Sequence, residues 1–300
     1  MFKFKAEQKV YTIGGVKIGG QAGVNPPVLY GSIFGEGQEK LVTDHKKGVF
    51  DRKKAERIIK RQEELSDRTG CPDALDVVVI YAGAVPSYLD FLEKVTDAPL
   101  NVGSMTSEIR MAVARYVSEV GLINRVTCGP ISLETKKEEL EVFEEEKVPF
   151  VEVSLFNKAD PTSHGRVKMW RRLWKKIKDL PFKGYLLDTA VLDMPSIAQS
   201  SLSVFEVKDK LGYPVGCAPD NGIAIWKSMT EKKGTNEYMN AASLAAAIPI
   251  LYGADWIVYN IDHLEWVFPA CALASGVFAY GAREMGTKPS PEHALYRIFK

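Results

Sequence analysis

Residues 183–222 read KGYLLDTAVLDMPSIAQSSLSVFEVKDKLGYPVGCAPDNG, and this stretch decides the fold class. Tyr185 to Val191 is a short apolar run with Asp188 in its middle, which reads as a buried strand. Pro195 to Lys210 carries apolar residues at helical spacing, and Gly212 with Pro214 closes that helix. Val215, Gly216 and Cys217 begin a second strand, which runs into the turn-prone Ala218-Pro219-Asp220-Asn221-Gly222. Strand, helix and strand joined by short links make a βαβ unit, and such units build parallel sheets. A carboxylate inside one strand and an amide at the mouth of the next suit a barrel that grips a polar ring at the C-terminal ends of its strands.

The same alternation continues on both sides. Upstream, Pro26 to Phe34 (PPVLYGSIF) reads as the first strand, and residues 35–48 as a polar loop. A helix follows from Asp51, a plausible N-cap, to Thr69, with Ala55, Ile58, Ile59 and Leu65 as its apolar stripe. Further strands are predicted at 74–80, 99–104, 124–129, 149–156, 184–191, 213–217 and 254–260. Helices are predicted at 86–96, 107–120, 134–146, 163–178, 195–211, 238–248 and 267–282. Eight βα units without a GxGxxG phosphate turn or a linker predict one closed (β/α)8 TIM barrel over residues 1–300 rather than an open sheet. Before the barrel, KVYTI and VKI flank Gly14-Gly15, a short-range signal for a β-hairpin set at one end of it.

Composition narrows the function class. A net charge of +1 over 300 residues gives no general attraction to nucleic acid or a membrane surface. No uninterrupted apolar run approaches the ~20 residues of a membrane span, and the opening MFKFKAEQKVYTIGG has no secretory pattern. A cytoplasmic location is the expectation. The cysteines Cys71, Cys128, Cys217 and Cys271 lie far apart without a CxxC. Cys128, Cys217 and His263 could in principle face the mouth together, but no spacing compels a metal, and none is predicted.

Polar residues at predicted strand ends form the candidate site. They are Asn101, Ser104 and Thr106; Thr127 and Cys128; Ser154, Asn157 and Asp160; Asp188, Thr189 and Asp193; Cys217, Asp220 and Asn221; and Asn260, Asp262 and His263. The set is rich in amides and acids and poor in histidine, which suits hydrogen bonding to a flat heterocycle better than a nucleophilic triad. Asp188 and Asn221 stand out. On the fifth predicted helix, Trp170 and Trp174 lie among Arg166, Arg171, Arg172, Lys175 and Lys176, a pattern expected to give a solvated basic face and a core-facing stripe; an acidic partner's contact surface is the other reading.

The run MFKFKAEQKVYTIGGVKIGGQAG, then PVLYGSIF, LLDTAVLDMPSI and PVGCAPDNG, resembles the family of the H subunit of tetrahydromethanopterin S-methyltransferase, which includes relatives using tetrahydrofolate. The likeness spans nearly the whole chain. It implies a pterin-binding barrel, dimeric, that moves a methyl group between N5 of a tetrahydropterin and the cobalt of a corrinoid-binding partner protein. By that resemblance Asp188 holds the 2-amino/N3 edge of the pterin and Asn221 approaches N5, and these two carry catalysis. Three strand ends depart from the family pattern: Val102-Gly103-Ser104 stands where the family has Ile-Asp-Ser, Cys128-Gly129-Pro130 where it has Tyr-Asn-Ser, and Val79-Ile80 after Asp76-Val77-Val78 where it has Gly-Glu. With those polar groups absent, the expected pterin contacts are Asp188, Asn221, Asn101, Ser104, Asn157 and Gly216. Gly103 and Gly129 also leave room for a rebuilt pocket. Two alternatives follow: demethylation of a methoxy compound or methylamine onto a corrinoid protein, and a non-catalytic subunit that docks one.

Overall fold

The computed structural model describes residues 2–38 and 40–297. The strands are β1 (Val10–Ile13), β2 (Val16–Gly19), β3 (Val28–Ile33), β4 (Val42–Asp44), β5 (Val49–Phe50), β6 (Asp73–Val78), β7 (Leu100–Gly103), β8 (Val126–Ile131), β9 (Phe150–Ser154), β10 (Gly184–Asp188), β11 (Val215–Cys217) and β12 (Trp256–Asn260). The helices are α1 (Arg52–Thr69), α2 (Val85–Val95), α3 (Ser107–Glu119), α4 (Lys137–Glu145), α5 (Ser163–Ile177), α6 (Met194–Leu211), α7 (Asp220–Ala224), α8 (Lys227–Thr230), α9 (Asn236–Ala247) and α10 (Leu264–Glu284). β3 and β6 to β12 pair in parallel around a closed barrel, β12 returning to β3. The TIM barrel expected from the βα alternation is the observed architecture.

Strand alternation sorts side chains into two packed regions, because successive residues point to opposite faces. Leu29, Ile33, Leu75, Val77, Leu187 and Ile257 face outward into the layer beneath the helices. Val28, Tyr30, Ala74, Leu186 and Trp256 face inward and pack with Ile13 and Ile18 of the β1–β2 hairpin. The hairpin therefore closes the N-terminal end of the barrel. Its turn reaches Pro99 and Arg125 at the starts of β7 and β8, and Gly14 there has a φ of +51°.

Local signals set the helix ends. Asp51 accepts the Lys54 amide at 3.0 Å as the cap of α1. Asp193 caps α6 reciprocally with Ser196, and Gly212, at φ +71°, ends it. Two expectations need correction. The predicted loop at 35–48 contains β4, which pairs with β5 just beyond it; Val42 is buried, and Phe50 packs against Phe34 and Tyr88. Ile261–Glu284 also has the length and a mean hydropathy, 1.2, of a membrane-crossing helix. It is apolar on most sides because it is the last helix of the barrel, packed on α1 and α9 with 56% of that window buried.

Candidate functional site

A cavity of about 710 Å³ opens at the C-terminal ends of the strands. That volume is ample for a bicyclic heterocycle with part of its tail. Its wall includes Ser32, Gln38, Ser104, Val258, Asn260 and Asn221, and its floor is made by Asp76, Asn101, Glu152 and Asp188.

The floor follows from strand register. Asp76 on β6 lies level with Asn101 on β7, so their side chains meet inside the barrel. Asn101 Nδ2 donates to Asp76 Oδ1 at 2.9 Å and to Glu152 Oε2 at 2.8 Å. One amide therefore bridges two acids, and its own carbonyl oxygen is buried without a partner among the described residues. Leu186 on β10 pairs with Glu152 and Asp188 with Ser154, which sets Glu152 deeper in the barrel than Asp188. Asp188 Oδ1 accepts the Ala190 amide at 2.8 Å, and Ala190 itself sits at a φ of +57°. Beneath these groups the hydroxyl of Tyr30 and the indole N–H of Trp256 are likewise buried without partners among the described residues.

Three acids this close cannot all ionise easily. Burial, then the charge of Asp188, pushes Glu152 up to about 8. Burial pushes Asp188 up to about 6, opposed by the Ala190 N–H and by Arg166. Asp76 is raised by burial, against hydrogen bonds from Asn101 and Ser32.

Arg166 is not part of the solvated basic face predicted for α5. It is 3% exposed, and its guanidinium donates to the carbonyls of Pro161, Thr189 and Ala190. It thus clamps the segment just after Asp188. Arg171, Arg172, Lys175 and Lys176 do face solvent, while Trp170 is buried against Tyr185 and Tyr213. A second clamp holds the next wall. Arg110 pairs with Glu139 through Nε and Nη2 at 2.6 and 2.8 Å, and its Nη1 donates to the Ser104 carbonyl at 2.8 Å.

The structure brings Asp188, Asn221, Asn101 and Ser104 to one cavity. Asn221 lies in the first turn of the short helix α7, exposed toward the mouth, rather than in a strand-end loop. Asn157 and Gly216 do not line the cavity. The Asn157 side chain is buried in its own loop, where Nδ2 donates to the Gly165 carbonyl and Oδ1 accepts the amides of Ala159 and Asp160. Gly216 is a packing position: a Cβ there would lie 2.1 Å from the Trp256 carbonyl oxygen.

Thr106, Asp220 and Asn260 also line the cavity, while several other strand-end residues are turned away. Thr189 bonds Ser200 on α6, Asp193 caps α6, and Asp160 accepts from Thr162. Cys128 and Cys217 face the helices, where burial raises both thiols to about 12, so they cannot join His263 at the mouth. His263 instead lies 3.4 Å from Asp220.

Sequence reasoning passes over Glu152 as a site residue and mentions Asp76 only in a comparison of motifs. The signal was present: each is the one acid in a predicted strand made mostly of apolar residues, ALDVVVI and PFVEVSLF, and register aims both inward. The two glycines also part company. A Cβ on Gly129 would meet the Cβ of Glu152 at 2.8 Å, so this glycine gives Glu152 its place. Among the described residues, a Cβ on Gly103 would meet only the Gly129 carbonyl oxygen, at 3.5 Å, so that position has room.

With this geometry in hand, comparison with known proteins is decisive. Residues 6–290 match the family described as Tetrahydromethanopterin S-methyltransferase MtrH subunit. The chain belongs to this family. It is 36% identical to the tetrahydromethanopterin S-methyltransferase H subunit of Methanothermobacter thermautotrophicus, over 99% of this chain and all of that one. The corresponding protein of Methanosarcina acetivorans is 31% identical over the same shares. Among solved structures, a dihydropteroate synthase of Yersinia pestis superposes with a TM-score of 0.61, covering 93% of this chain and 100% of that one at 12% identity. The Xanthomonas albilineans dihydropteroate synthase gives 0.60, with 91% and 98% covered at 14% identity. These structural likenesses speak for the shared barrel fold.

Proposed function

We propose that the cavity binds a tetrahydropterin, tetrahydromethanopterin or tetrahydrofolate, and that the chain catalyses methyl transfer between its N5 and the cobalt of a corrinoid carried by a separate protein. The observation that carries this reading is the floor itself. Acids and an amide converge there, aimed at a ligand with several N–H donors, and the described lining residues include neither a cysteine nor a histidine. Asp188 holds the 2-amino/N3 edge and so fixes the ring in one orientation for in-line transfer. N5 is a poor leaving group until it gains a proton or a strong hydrogen bond, and Asn221 at the open rim donates to it without changing charge. The corrinoid supplies the methyl-accepting metal from its own protein, so the mouth stays wide enough for a bulky partner.

The departures that motivated a different methyl donor have a structural counterpart: Asp76, Asn101 and Glu152 supply polarity on the side of the barrel where the motif residues differ. This favours a pterin over a small methoxy compound or amine. The reading also includes a cytoplasmic location and a homodimer. Leu244 on α9 and Leu273, Val277 and Tyr280 on α10 are 49–63% exposed and form an apolar face suited to a second copy; light scattering showing a monomer would remove the dimer.

The central test is titration of the purified chain with tetrahydromethanopterin and tetrahydrofolate, followed by methyl exchange with free methylcobalamin. Saturable binding of one pterin with methyl transfer supports the reading. Binding of neither overturns it.

A further inference from the structure

Glu152 belongs to the acid floor of the cavity, and the reading above gives it no contact of its own with the ligand. Its Oε2 is occupied by the Asn101 amide, which leaves Oε1 for whatever fills the cavity. The groups that face it are Asp76 from β6, Asn101 from β7, Asp188 from β10, Tyr30 from β3 and Trp256 from β12; Arg166 acts on Asp188 from behind. Two carboxylates and a neutral amide surround it, so the cluster relieves its repulsion most readily by keeping a proton on one acid.

We propose that Glu152 is a specificity-determining residue: as the neutral acid it donates from Oε1 to the C4 carbonyl oxygen of an amino-pyrimidinone ring whose N–H edge Asp188 holds. The inference rests on the pterin reading and adds the ring-oxidation pattern that the site selects. A 4-oxo ring offers an acceptor beside N–H donors, which matches one protonated acid beside an ionised one. A 4-amino ring puts a donor against that donor, and an unmatched buried pair of this kind is a strong basis for rejection. The site is then tuned for pterins with a C4 oxygen and against 2,4-diaminopteridines.

The burial that raises Glu152 to about 8 keeps it protonated at neutral pH, while Asp188, at about 6, is ionised there. The sign follows directly. Affinity for the 4-oxo ring is present below about 8 and is lost as Glu152 ionises above it; at the acid end it is lost as Asp188 protonates below about 6.

The experiment measures binding of the tetrahydropterin that the wild type takes, and of a 2,4-diaminopteridine, by wild type, Glu152→Gln and Glu152→Ala across this range. Wild-type affinity for the 4-oxo ring is expected to fall roughly tenfold per pH unit above the upper value, and affinity for the diamino ring to rise. Glu152→Gln, whose amide donates where the acid did, should stay within about threefold of wild type at neutral pH and lose the alkaline fall, while Glu152→Ala weakens binding by about tenfold or more. A flat alkaline profile in the wild type overturns the proposal, as does Glu152→Ala binding as well as wild type. If the alanine variant fails to fold, the wild-type profile and the glutamine variant still decide. Failure of the wild type to bind any tetrahydropterin removes the methyl-transfer reading, and this one with it; binding with a flat profile removes this one alone.

Discussion

Buried acids occur at both ends of this barrel, and they are treated in opposite ways. At the N-terminal end, Asp255 meets the ammonium of Lys208; its other oxygen accepts the Val215 amide, and Lys208 donates also to the Gly20 carbonyl. Both members of this pair are fully partnered. At the C-terminal end, Asp76, Glu152 and Asp188 rely on an amide, a hydroxyl and a backbone N–H, while Arg166 turns its hydrogen bonds to carbonyls. Pairing makes the lower site a structural fastening. The upper acids raise one another's affinity for protons and weaken the empty barrel, and a cleft holding such groups is where a ligand acts.

The largest effect should come from breaking the paired end. Lys208→Ala strands Asp255 in the interior and should destabilise the fold by about 3–5 kcal/mol, measured by denaturant unfolding, with little change in pterin affinity of the folded fraction. A loss below about 1 kcal/mol would place the pair among ordinary surface bridges and dissolve the contrast.

At the ligand end, effects should appear in function and leave stability nearly intact. Asn221→Ala removes a donor where charge changes, so kcat should fall by roughly tenfold to a few hundredfold with a smaller change in binding. An unchanged kcat would take Asn221 out of catalysis. Asp188→Ala should weaken pterin binding by about 1.5–3 kcal/mol, seen as a raised KM. If affinity stays at the wild-type value, the ring is held elsewhere on the floor.

The smallest effect sharpens the comparison from the stability side. Glu152 has a folded value raised above its unfolded one, so the folded chain binds more protons between about 4.5 and about 8, and stability falls as pH rises through that window. Glu152→Gln removes this dependence and should stabilise the empty protein by roughly 1–2 kcal/mol near pH 8, allowing for contact with cavity water. Equal unfolding curves for the two proteins across the window would show that Glu152 ionises freely and that the upper site is not strained.

Much of this was legible in the chain. The alternation seen at 183–222 and repeated along it specifies a barrel, because period-2 apolar runs and helical stripes recur at lengths that parallel crossovers require. Asp188 was legible too, as an acid inside an apolar run; the structure ends β10 at that residue, which sets it at the C-terminal end of its strand. Gly14-Gly15 announced the hairpin, though not that Ile13 and Ile18 would plug the barrel floor. Asn157 misled for a physical reason: a short amide after a strand is equally able to tie its own loop, and here it does.

The sequence by itself determined the order and type of the barrel's strands and helices, the family, and the acid-and-amide character of the site, since these depend on local periodicity and residue type. Tertiary structure alone decided which polar residues share a space. Register sets Asp76 beside Asn101, and the curvature of the sheet from β7 to β9 brings Glu152 to the same amide, 51 residues further along the chain. The missing Cβ of Gly129 leaves Glu152 its position, and Arg166 is drawn from a basic helix into the interior by three backbone carbonyls. Proton affinities in the floor arise from that closeness and from burial, which are properties of distances in space that no linear spacing encodes.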